Sequence, residues 1–499
     1  MIMDRIRRED LKSKIKTADE ASMFIKDGMT IATSGFTPSG YPKAVPLALA
    51  KRAEGGEKLN ITVITGASVG DELDGALSRA GVMTRRYPYQ TNKASRNAIN
   101  EGKIMYQDMH LSHAVQFMNY GFLGKIDVAL VEALAITEEG GIIPTTSVGI
   151  SPQAIENADV VIVEINTSQP MGLEGMHDIY ITENPPNRKP IPILNTGDRI
   201  GTPYMPCDPE KIVAIVECDI KDKVRPLGPI DEDSKKISGH IIEFLEHEVK
   251  MGRLPKNLLP LQSGVGSVAN AVLGGLLDSK FENLTCYTEV IQDSMFDLID
   301  AGKVIVASGT SLTPSEEGLK RLYANIDHYA KHCILRPMEI SNNPEVARRL
   351  GVIAMNTAIE FDIYGHVNST NIMGSRIMNG IGGSGDFTRN AYLSMFTTVS
   401  TAKGGDISSI VPFVSHVDHT EHDVEVVVTE QGLADLRNTS PTERAKKIID
   451  NCAHPDYRPI LKDYFQRAMK GKFKHEPHIM DEALSMHARF MEKGTMKIK

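Results

Sequence analysis

Short apolar runs alternate with longer amphipathic stretches along the whole chain. In the first half the runs are NITVIT (60–65), KIDVALVEAL (125–134), ADVVIVEIN (158–166) and KIVAIVE (211–217). In the second half they are NLTCYT (283–288), GKVIVAS (302–308), NTAIEFDIYG (356–365), MFTTVS (395–400) and VEVVVTE (424–430). Continuous apolar runs separated by helical lengths are typical of parallel strands that are buried on both faces. The pattern therefore predicts an α/β fold with mainly parallel sheets.

The two halves of the chain repeat the same order of elements. SGF at 34–36 precedes NITVIT, and SGV at 263–265 precedes NLTCYT, with an amphipathic segment between them in each half. LVE at 130–132 then corresponds to AIE at 358–360, and we expect each acid to close an apolar strand. A repeated order of this kind indicates an internal duplication. We therefore expect two related open α/β domains.

A segment rich in proline and charge separates the two halves. Residues 219–235 contain VRPLGPIDEDSK, and this composition is typical of a linker. The length of 499 residues also exceeds that of one ordinary domain. We place the domain boundary near residue 228, which gives an N-terminal domain over 1–228 and a C-terminal domain over 229–499.

Composition and charge restrict the class of protein. Hydrophobic residues make up 41% and charged residues 24%, which is a globular balance. The net charge of -9, with no long Lys/Arg run, argues against a nucleic-acid binder. The sequence offers no apolar stretch long enough for a membrane helix. The basic N-terminal segment lacks an apolar region, and Asp4, Glu9 and Asp10 argue against a mitochondrial transit peptide. We expect a cytoplasmic protein.

Two residue groups suggest chemistry that we do not favour. The five cysteines are widely spaced and include no CxxC pair, so we expect free thiols, and we interpret Cys286 as a core residue rather than a nucleophile. His416, His419 and His422 stand three apart within SHVDHTEHD. A zinc site needs ligands that a surrounding scaffold holds in place. We interpret this stretch as a structural or substrate loop and predict no metal.

Glu289 is the candidate catalytic residue. Aligning NITVITG with NLTCYTE places it opposite Gly66, so only one copy has a carboxylate at the carboxyl end of the strand, where open α/β sheets bind ligands. Two glycine-rich loops, in SGVGSVANAVLGGLL (263–277) and MNGIGGSGDFTRNAYLS (378–394), each lead into a helical pattern. Such loops let backbone amides approach an anion at a helix start. Taken alone, however, Glu289 also fits a solvated strand-end residue.

The second loop also contains the letters GxGxxG, as Gly380, Gly382 and Gly385. This motif suggests a dinucleotide-dependent oxidoreductase, which requires a strand directly before the loop and an acid about 20 residues later. STNIMGSRIM is a weak strand candidate, and MFTTVS ends without an acid. The first loop, GVGSVA, is a looser match in which Glu289 would be the ribose-binding acid, so an NAD(P) enzyme stays open as an alternative.

Several longer motifs stand out in the second half of the chain. They are GVGSVANAVL (264–273), YTEVIQDS around Glu289, EFDIYGHVNSTNIMG (360–374), NGIGGSGDF (379–387) and SHVDHTEHDVEVVVTEQGLADLR (415–437). In the first half they are SGFTPSGYPKAVP and IDVALVEALAITEEGGIIP. Together these motifs closely resemble those of the acetyl-CoA hydrolase/transferase family, above all its succinyl-CoA:acetate CoA-transferase branch. The resemblance implies the CoA-transferase fold, a homodimer, and coenzyme A thioesters and small carboxylates as substrates, with no further cofactor.

The resemblance also implies roles for individual residues. Glu289 would be the nucleophile of a ping-pong reaction that forms a glutamyl-CoA thioester. The backbone amides of Val265 and Gly383 would stabilise oxyanions. Contacts to coenzyme A would come from Gly264, Val265, Gly266, Ser267, Val268, Asn342, Gly382, Gly383 and Lys403. Glu430 would support the active site, and a solvated surface lysine is the alternative for Lys403.

The expected chemistry is consistent with these residue types. A glutamate with an ordinary pKa near ~4.3 is ionised at neutral pH, so it can attack a thioester without a general base. Acetyl-CoA hydrolase is the main alternative, because it differs only in whether water or a carboxylate intercepts the activated acyl group. A binding or regulatory protein built on the same fold is disfavoured, since Glu289 and both glycine loops are intact.

Overall fold

The computed structural model describes residues 2–223, 230–264 and 266–498, except for the side chain of Ser267. The chain forms two compact units, and neither is continuous in sequence. The first unit comprises Met1–Pro226, Thr285–Ile299 and Val304–Leu350, and the second comprises Leu227–Leu284, Asp300–Lys303 and Gly351–Lys499. From the sequence we expect Glu289 in the C-terminal domain, whereas in the structure it belongs to the first unit. The boundary near residue 228 lies outside the described residues and stays a prediction.

The main strands are β1 (Thr30–Thr33), β2 (Ile61–Ile64), β3 (Met83–Tyr87), β4 (Met105–Tyr106), β5 (Ile126–Ala133), β6 (Ala158–Asn166), β7 (Ile212–Cys218), β8 (Leu261–Ser263), β9 (Leu284–Tyr287), β10 (Val304–Gly309), β11 (Cys333–Leu335), β12 (Ile353–Thr357), β13 (Leu393–Thr397), β14 (Val426–Thr429) and β15 (Gly432–Asp435). Shorter strands lie at Ala135–Ile136, Ile142–Ile143, Val290–Ile291, Ser311–Leu312, Glu360–Asp362, Val367–Asn368, Asn371–Ile372, Arg376–Ile377, Thr401–Ala402, Ile407–Ser408 and Ile410–Val411.

The α-helices are α1 (Ile2–Arg5), α2 (Ala18–Ser22), α3 (Ala44–Glu54), α4 (Ala76–Arg79), α5 (Lys93–Asn100), α6 (Leu111–Asn119), α7 (Ser151–Asn157), α8 (Glu232–Lys250), α9 (Ser267–Gly275), α10 (Asp293–Asp300), α11 (Glu316–Ala324), α12 (Ile326–Tyr329), α13 (Met338–Ser341), α14 (Pro344–Leu350), α15 (Ser384–Thr388), α16 (Pro441–Cys452), α17 (Arg458–Ala468) and α18 (Ser485–Lys493).

The strand order repeats between the two halves of the chain. In the first unit a parallel sheet has the order β4-β3-β2-β1-β5-β6-β7. The same unit contains most of β9 and the order β11-β10-β9, which repeats β4-β3-β2. In the second unit the order β8-β12-β13-β14 is parallel and repeats β1-β5-β6-β7, and β15 adds an antiparallel edge. The predicted α/β class with mainly parallel sheets is confirmed.

The apolar runs of the sequence form buried strands of the core. In the first unit Ile31, Val63, Val128 and Ile162, from four neighbouring strands, are all buried. Cys286 on β9 is also fully buried, and burial raises the pKa of its thiol to about 12. A thiol in that state is protonated at neutral pH, so its environment supports the interpretation as a core residue. Among the described residues, no helix is both long enough and apolar enough to cross a bilayer.

Glu248 near the end of α8 is a buried carboxylate in the second unit. It accepts hydrogen bonds of 2.6 and 2.8 Å from Arg253 and of 2.8 and 3.0 Å from Arg437. Its side chain is only 1% exposed. Hydrogen bonds from the Arg253 and then the Arg437 side chain lower the pKa of Glu248 to about 2. Because Arg437 follows β15, the carboxylate ties α8 to the edge of the sheet.

We expect Glu248→Gln to lower the free energy of unfolding at pH 7 by about 3 kcal/mol, since it leaves two guanidinium groups without their shared carboxylate. The folded-state pKa lies below the unfolded value of ~4.3, so this stabilisation is present above that pH and is lost as the pH falls towards 2. Urea denaturation at pH 7 measures the loss of stability in Glu248→Gln, and denaturation at pH 3 measures how far that loss decreases at low pH. Glu246→Gln, on the exposed side of the same helix, is the control. If the free energies of unfolding of wild type and Glu248→Gln differ by the same amount at pH 7 and pH 3, the ionised Glu248 carboxylate is not the source of the stabilisation.

Candidate active site

Glu289 lies two residues beyond β9 in the first unit, and it is partly buried. The backbone on either side is fixed by hydrogen bonds. Thr288 N donates to Ser308 O at 2.9 Å, and Glu289 O accepts from Thr310 N at 2.7 Å and from Ser311 N at 3.2 Å. The chain then enters the short strand Val290–Ile291. The carboxylate therefore leaves a well-anchored strand end, as the sequence predicted.

Asn342 contacts the candidate nucleophile directly. Its Nδ2 donates a hydrogen bond of 2.7 Å to Glu289 Oε1, across 53 positions of sequence. Asn342 is fully buried and follows α13, and its backbone N donates to Met338 O at 3.0 Å. The structure thus brings together two of the residues that the family resemblance assigned to the site. A fixed amide donor at one oxygen restricts the orientation of the carboxylate.

The first glycine loop lies in the second unit, between β8 and α9. Gly264 N donates to Met355 O at 3.0 Å. Gly266 has a φ of +123°, which favours glycine, and it directly precedes α9. Val268 lies in the first turn of that helix and is partly buried. Val265 and the side chain of Ser267 lie outside the described part of the structure, so their predicted roles stay predictions.

The second glycine loop also leads into a helix of the second unit. Gly382 has a φ of +61°, and Gly383 immediately precedes α15; both are buried. The strand before this loop, Arg376–Ile377, pairs with Asn371–Ile372 in a two-stranded antiparallel sheet that is separate from the main sheets. A dinucleotide-binding GxGxxG loop requires a strand of the main parallel sheet at that point. The surroundings of Gly380, Gly382 and Gly385 therefore do not fit the oxidoreductase alternative.

Asn356 lies beside the first glycine loop and is bonded to α15, within the second unit. It lies on β12 and is almost fully buried. A Cβ atom built on Gly264 would lie 3.8 Å from its Oδ1, and its Nδ2 donates to Thr388 Oγ1 of α15 at 3.1 Å. The structure therefore brings Gly264 and α15 to the same end of β12. We did not select Asn356 from the sequence; its only signal was an amide at the start of the apolar run NTAIEFDIYG.

The three histidines of SHVDHTEHD bind to separate partners. His419 Nε2 lies 2.9 Å from Ser384 Oγ at the start of α15. His416 Nε2 lies 3.3 Å from Asp418 Oδ1, and His422 Nδ1 lies 3.3 Å from Glu421 Oε1. Because each histidine contacts a different residue, these contacts favour the interpretation as a structural loop. His419 joins this loop to Ser384, which directly follows Gly383 of the second glycine loop.

Lys403 and Glu430 also lie in the second unit. Lys403 is exposed at the turn of a short hairpin, and its Nζ lies 4.8 Å from the centre of the Phe490 ring. Glu430 follows β14 and accepts hydrogen bonds from Ser400 N at 2.7 Å, from Gln431 Nε2 at 2.9 Å and from Ser400 Oγ. Desolvation alone would raise the pKa of Glu430, but these hydrogen bonds hold it below its ordinary value. The predicted contacts of Lys403 and Glu430 with substrate stay predictions.

The comparisons with known proteins agree with the motifs. Residues 1–217 match the N-terminal domain of the acetyl-CoA hydrolase/transferase family, and residues 318–465 match its C-terminal domain. A succinyl-CoA:acetate CoA-transferase of Clostridium kluyveri is 58% identical over 99% of this chain and 92% of its own length. An acetyl-CoA hydrolase of Schizosaccharomyces pombe is 47% identical over 100% of this chain and 99% of its own length.

A solved structure shares the fold. The 4-hydroxybutyrate CoA-transferase of Porphyromonas gingivalis superposes with a TM-score of 0.65 at 22% identity, covering 92% of this chain and 99% of that one. At this identity the likeness concerns the fold alone. The two family matches and the high identity to full-length relatives confirm the resemblance found in the motifs, and the chain therefore belongs to the acetyl-CoA hydrolase/transferase family.

Proposed function

We propose that this protein is an acyl-CoA:carboxylate CoA-transferase that uses succinyl-CoA and acetate and acts through a thioester on Glu289. The observation that carries the proposal is the anchored carboxylate of Glu289 with the Asn342 amide 2.7 Å from its Oε1. The substrates are taken from the name of the Clostridium kluyveri relative at 58% identity. Coenzyme A enters as part of the substrate, and we propose no further cofactor.

The proposed reaction begins with attack of the Glu289 carboxylate on the acyl carbonyl of acyl-CoA. This step forms a mixed anhydride and releases the CoA thiolate. The thiolate then attacks the Glu289 carbonyl of the anhydride, so that the original acyl group leaves as a free carboxylate and a glutamyl-CoA thioester remains. A second carboxylate reverses the two steps and leaves as the new acyl-CoA. No general base is needed, because a glutamate with its ordinary pKa near ~4.3 is ionised at neutral pH.

Each addition step places negative charge on an oxygen that needs hydrogen-bond donors. The Asn342 amide already donates to one Glu289 oxygen, so it is positioned to stabilise the oxyanion that forms when the Glu289 carbonyl is attacked. We assign further donors to the backbone amides of Val265 and Gly383, at the two glycine loops. The helix starts that follow both loops favour negative charge, which supports this assignment.

Acetyl-CoA hydrolysis is the second candidate function. It is favoured by the acetyl-CoA hydrolase of Schizosaccharomyces pombe, which aligns over the whole chain at 47% identity. The two activities share the same activated acyl group and differ in whether water or a carboxylate intercepts it. A transferase must therefore exclude water from the anhydride and the thioester.

With succinyl-CoA as donor, we expect acetate to drive acetyl-CoA formation far faster than thiol is released in its absence. Chromatography of the CoA esters measures transfer, and a thiol reagent measures hydrolysis. Acetamide is the matched control, because it has the shape of acetate without the charge. Thiol release that is equally fast with and without acetate, with no acetyl-CoA formed, would replace the transferase proposal by the hydrolase.

The proposal also includes a cytoplasmic homodimer. The homodimer comes from the family resemblance, and light scattering of the purified protein tests it. The cytoplasmic location is supported by the cysteines, which are all free in the structure, as is expected in a reducing compartment.

A further inference from the structure

Ser341 extends the contact between Asn342 and Glu289 into a chain of hydrogen bonds. Ser341 Oγ donates to Asn342 Oδ1 at 2.8 Å, and Asn342 Nδ2 donates to Glu289 Oε1 at 2.7 Å. A second acceptor for the hydroxyl, Met338 O, lies farther away at 3.4 Å. Ser341 and Asn342 are both fully buried, so bulk water does not compete for these bonds.

An asparagine amide has one accepting end and one donating end, and a turn of 180° exchanges them. The Ser341 hydroxyl hydrogen binds the accepting end, so the donating end faces Glu289. We propose that Ser341 is a positioning residue that holds the Asn342 amide in this orientation throughout the catalytic cycle. The inference rests on the proposed role of Glu289 as nucleophile.

The need for such a residue is greatest when Glu289 carries coenzyme A. An ionised carboxylate attracts the amide NH₂ by itself, but a thioester carbonyl is neutral, and hydrogen bonds between neutral groups are about half as strong. A reversed amide would then turn Oδ1 towards the oxyanion that forms during discharge of the thioester. Ser341 opposes that reversal. The reversed NH₂ group would donate to Ser341 Oγ, and the hydroxyl hydrogen would then exchange its acceptor at 2.8 Å for Met338 O at 3.4 Å, which is a weaker bond.

The helix that precedes Asn342, α13, is held in place by a different contact. Tyr287 on β9 is fully buried, and its hydroxyl donates to Ile340 O of α13 at 2.5 Å. This bond joins the strand that leads to Glu289 to the helix that leads to Asn342. Removing the Ser341 hydroxyl should therefore free the amide to turn without displacing α13.

The first test compares Ser341→Ala with wild type in steady-state and single-turnover assays. We expect kcat to fall about tenfold, as the loss of one orienting hydrogen bond can produce, with KM for acyl-CoA within about twofold. Discharge of the glutamyl thioester by acetate should slow more than its formation. Ser341→Thr keeps the hydroxyl and should retain most of the wild-type kcat. Ser22→Ala is the matched control, since Ser22 is a buried serine of the same unit that donates to Asp19 O at 2.8 Å.

A double-mutant cycle separates positioning from general structural damage. If Ser341 acts through the amide, Ser341→Ala should change kcat by less than about twofold in an Asn342→Ala background. A tenfold loss in both backgrounds, or a wild-type kcat in Ser341→Ala, would overturn the proposal. Mass analysis of wild type with acyl-CoA reports on the proposed function separately. If the adduct is on Glu289 but Ser341→Ala lowers kcat equally in both backgrounds, only the role of Ser341 is contradicted. An adduct on another residue would contradict both the proposed function and the role of Ser341.

Discussion

Replacing Glu289 by alanine is expected to lower CoA transfer by more than about 10⁴-fold, which corresponds to over ~5 kcal/mol of activation free energy. The reason is that the substitution removes the nucleophile, and the covalent route has no substitute for it. Steady-state assays with succinyl-CoA and acetate measure the loss. Glu317→Ala, which removes an exposed glutamate from α11 of the same unit, should leave transfer unchanged.

The covalent intermediate gives an independent measurement of the same residue. Incubation with acyl-CoA and no acceptor should build up a CoA adduct, and peptide mass analysis should place it on the segment that contains Glu289. Glu289→Asp withdraws the carboxylate by one methylene, and a displacement of about 1 Å can cost ~10²-fold when reacting atoms must align. Near-normal transfer by a folded Glu289→Ala protein, or an adduct on another residue, would disprove the assignment.

Asn342→Ala is expected to have the second largest effect, a loss of roughly 10²–10³-fold in kcat, which is typical for removal of one oxyanion donor. The adduct on Glu289 should still form, but slowly. Asn343→Ala is a matched control, because Asn343 adjoins Asn342 between α13 and α14, and its amide donates to Glu339 O at 3.1 Å and accepts from Glu345 N at 3.0 Å. Equal losses of kcat in the two variants would show that damage to the segment, rather than loss of the donor, is responsible.

The strands were predictable wherever one apolar run forms one buried strand. ADVVIVEIN coincides with β6 (Ala158–Asn166), because that strand is buried along most of its length between β5 and β7. NTAIEFDIYG was misleading, since it continues as an apolar run through two different elements. β12 ends at Thr357, and Glu360–Asp362 belongs to a separate three-stranded sheet. Glu360 is buried in that sheet, where its carboxylate is hydrogen-bonded to Asn368 and to His487. His487 is 127 positions away in the sequence, so no local pattern reveals this contact.

The sequence revealed some residues of the site and not others. Glu289 was found because it breaks the symmetry between two related strand ends, and Asn342 was found only through the family resemblance. Ser341 and Asn356 were missed, because a buried serine or asparagine has no periodic signal, and its importance depends on which amide or hydroxyl meets it in the fold. The hydrogen bond from Asn342 to Glu289 likewise depends on how α13 packs beside β9.

The interleaved composition of the first unit has a consequence for protein synthesis. When the ribosome has made Pro226, that unit still lacks Thr285–Ile299 and Val304–Leu350. About 120 further residues must be added, which takes roughly ten seconds at 5–20 residues per second. Glu289 and Asn342 both lie in these late segments. A nascent chain that stalls before residue 342 therefore cannot assemble the pair, however well its N-terminal sheet has folded.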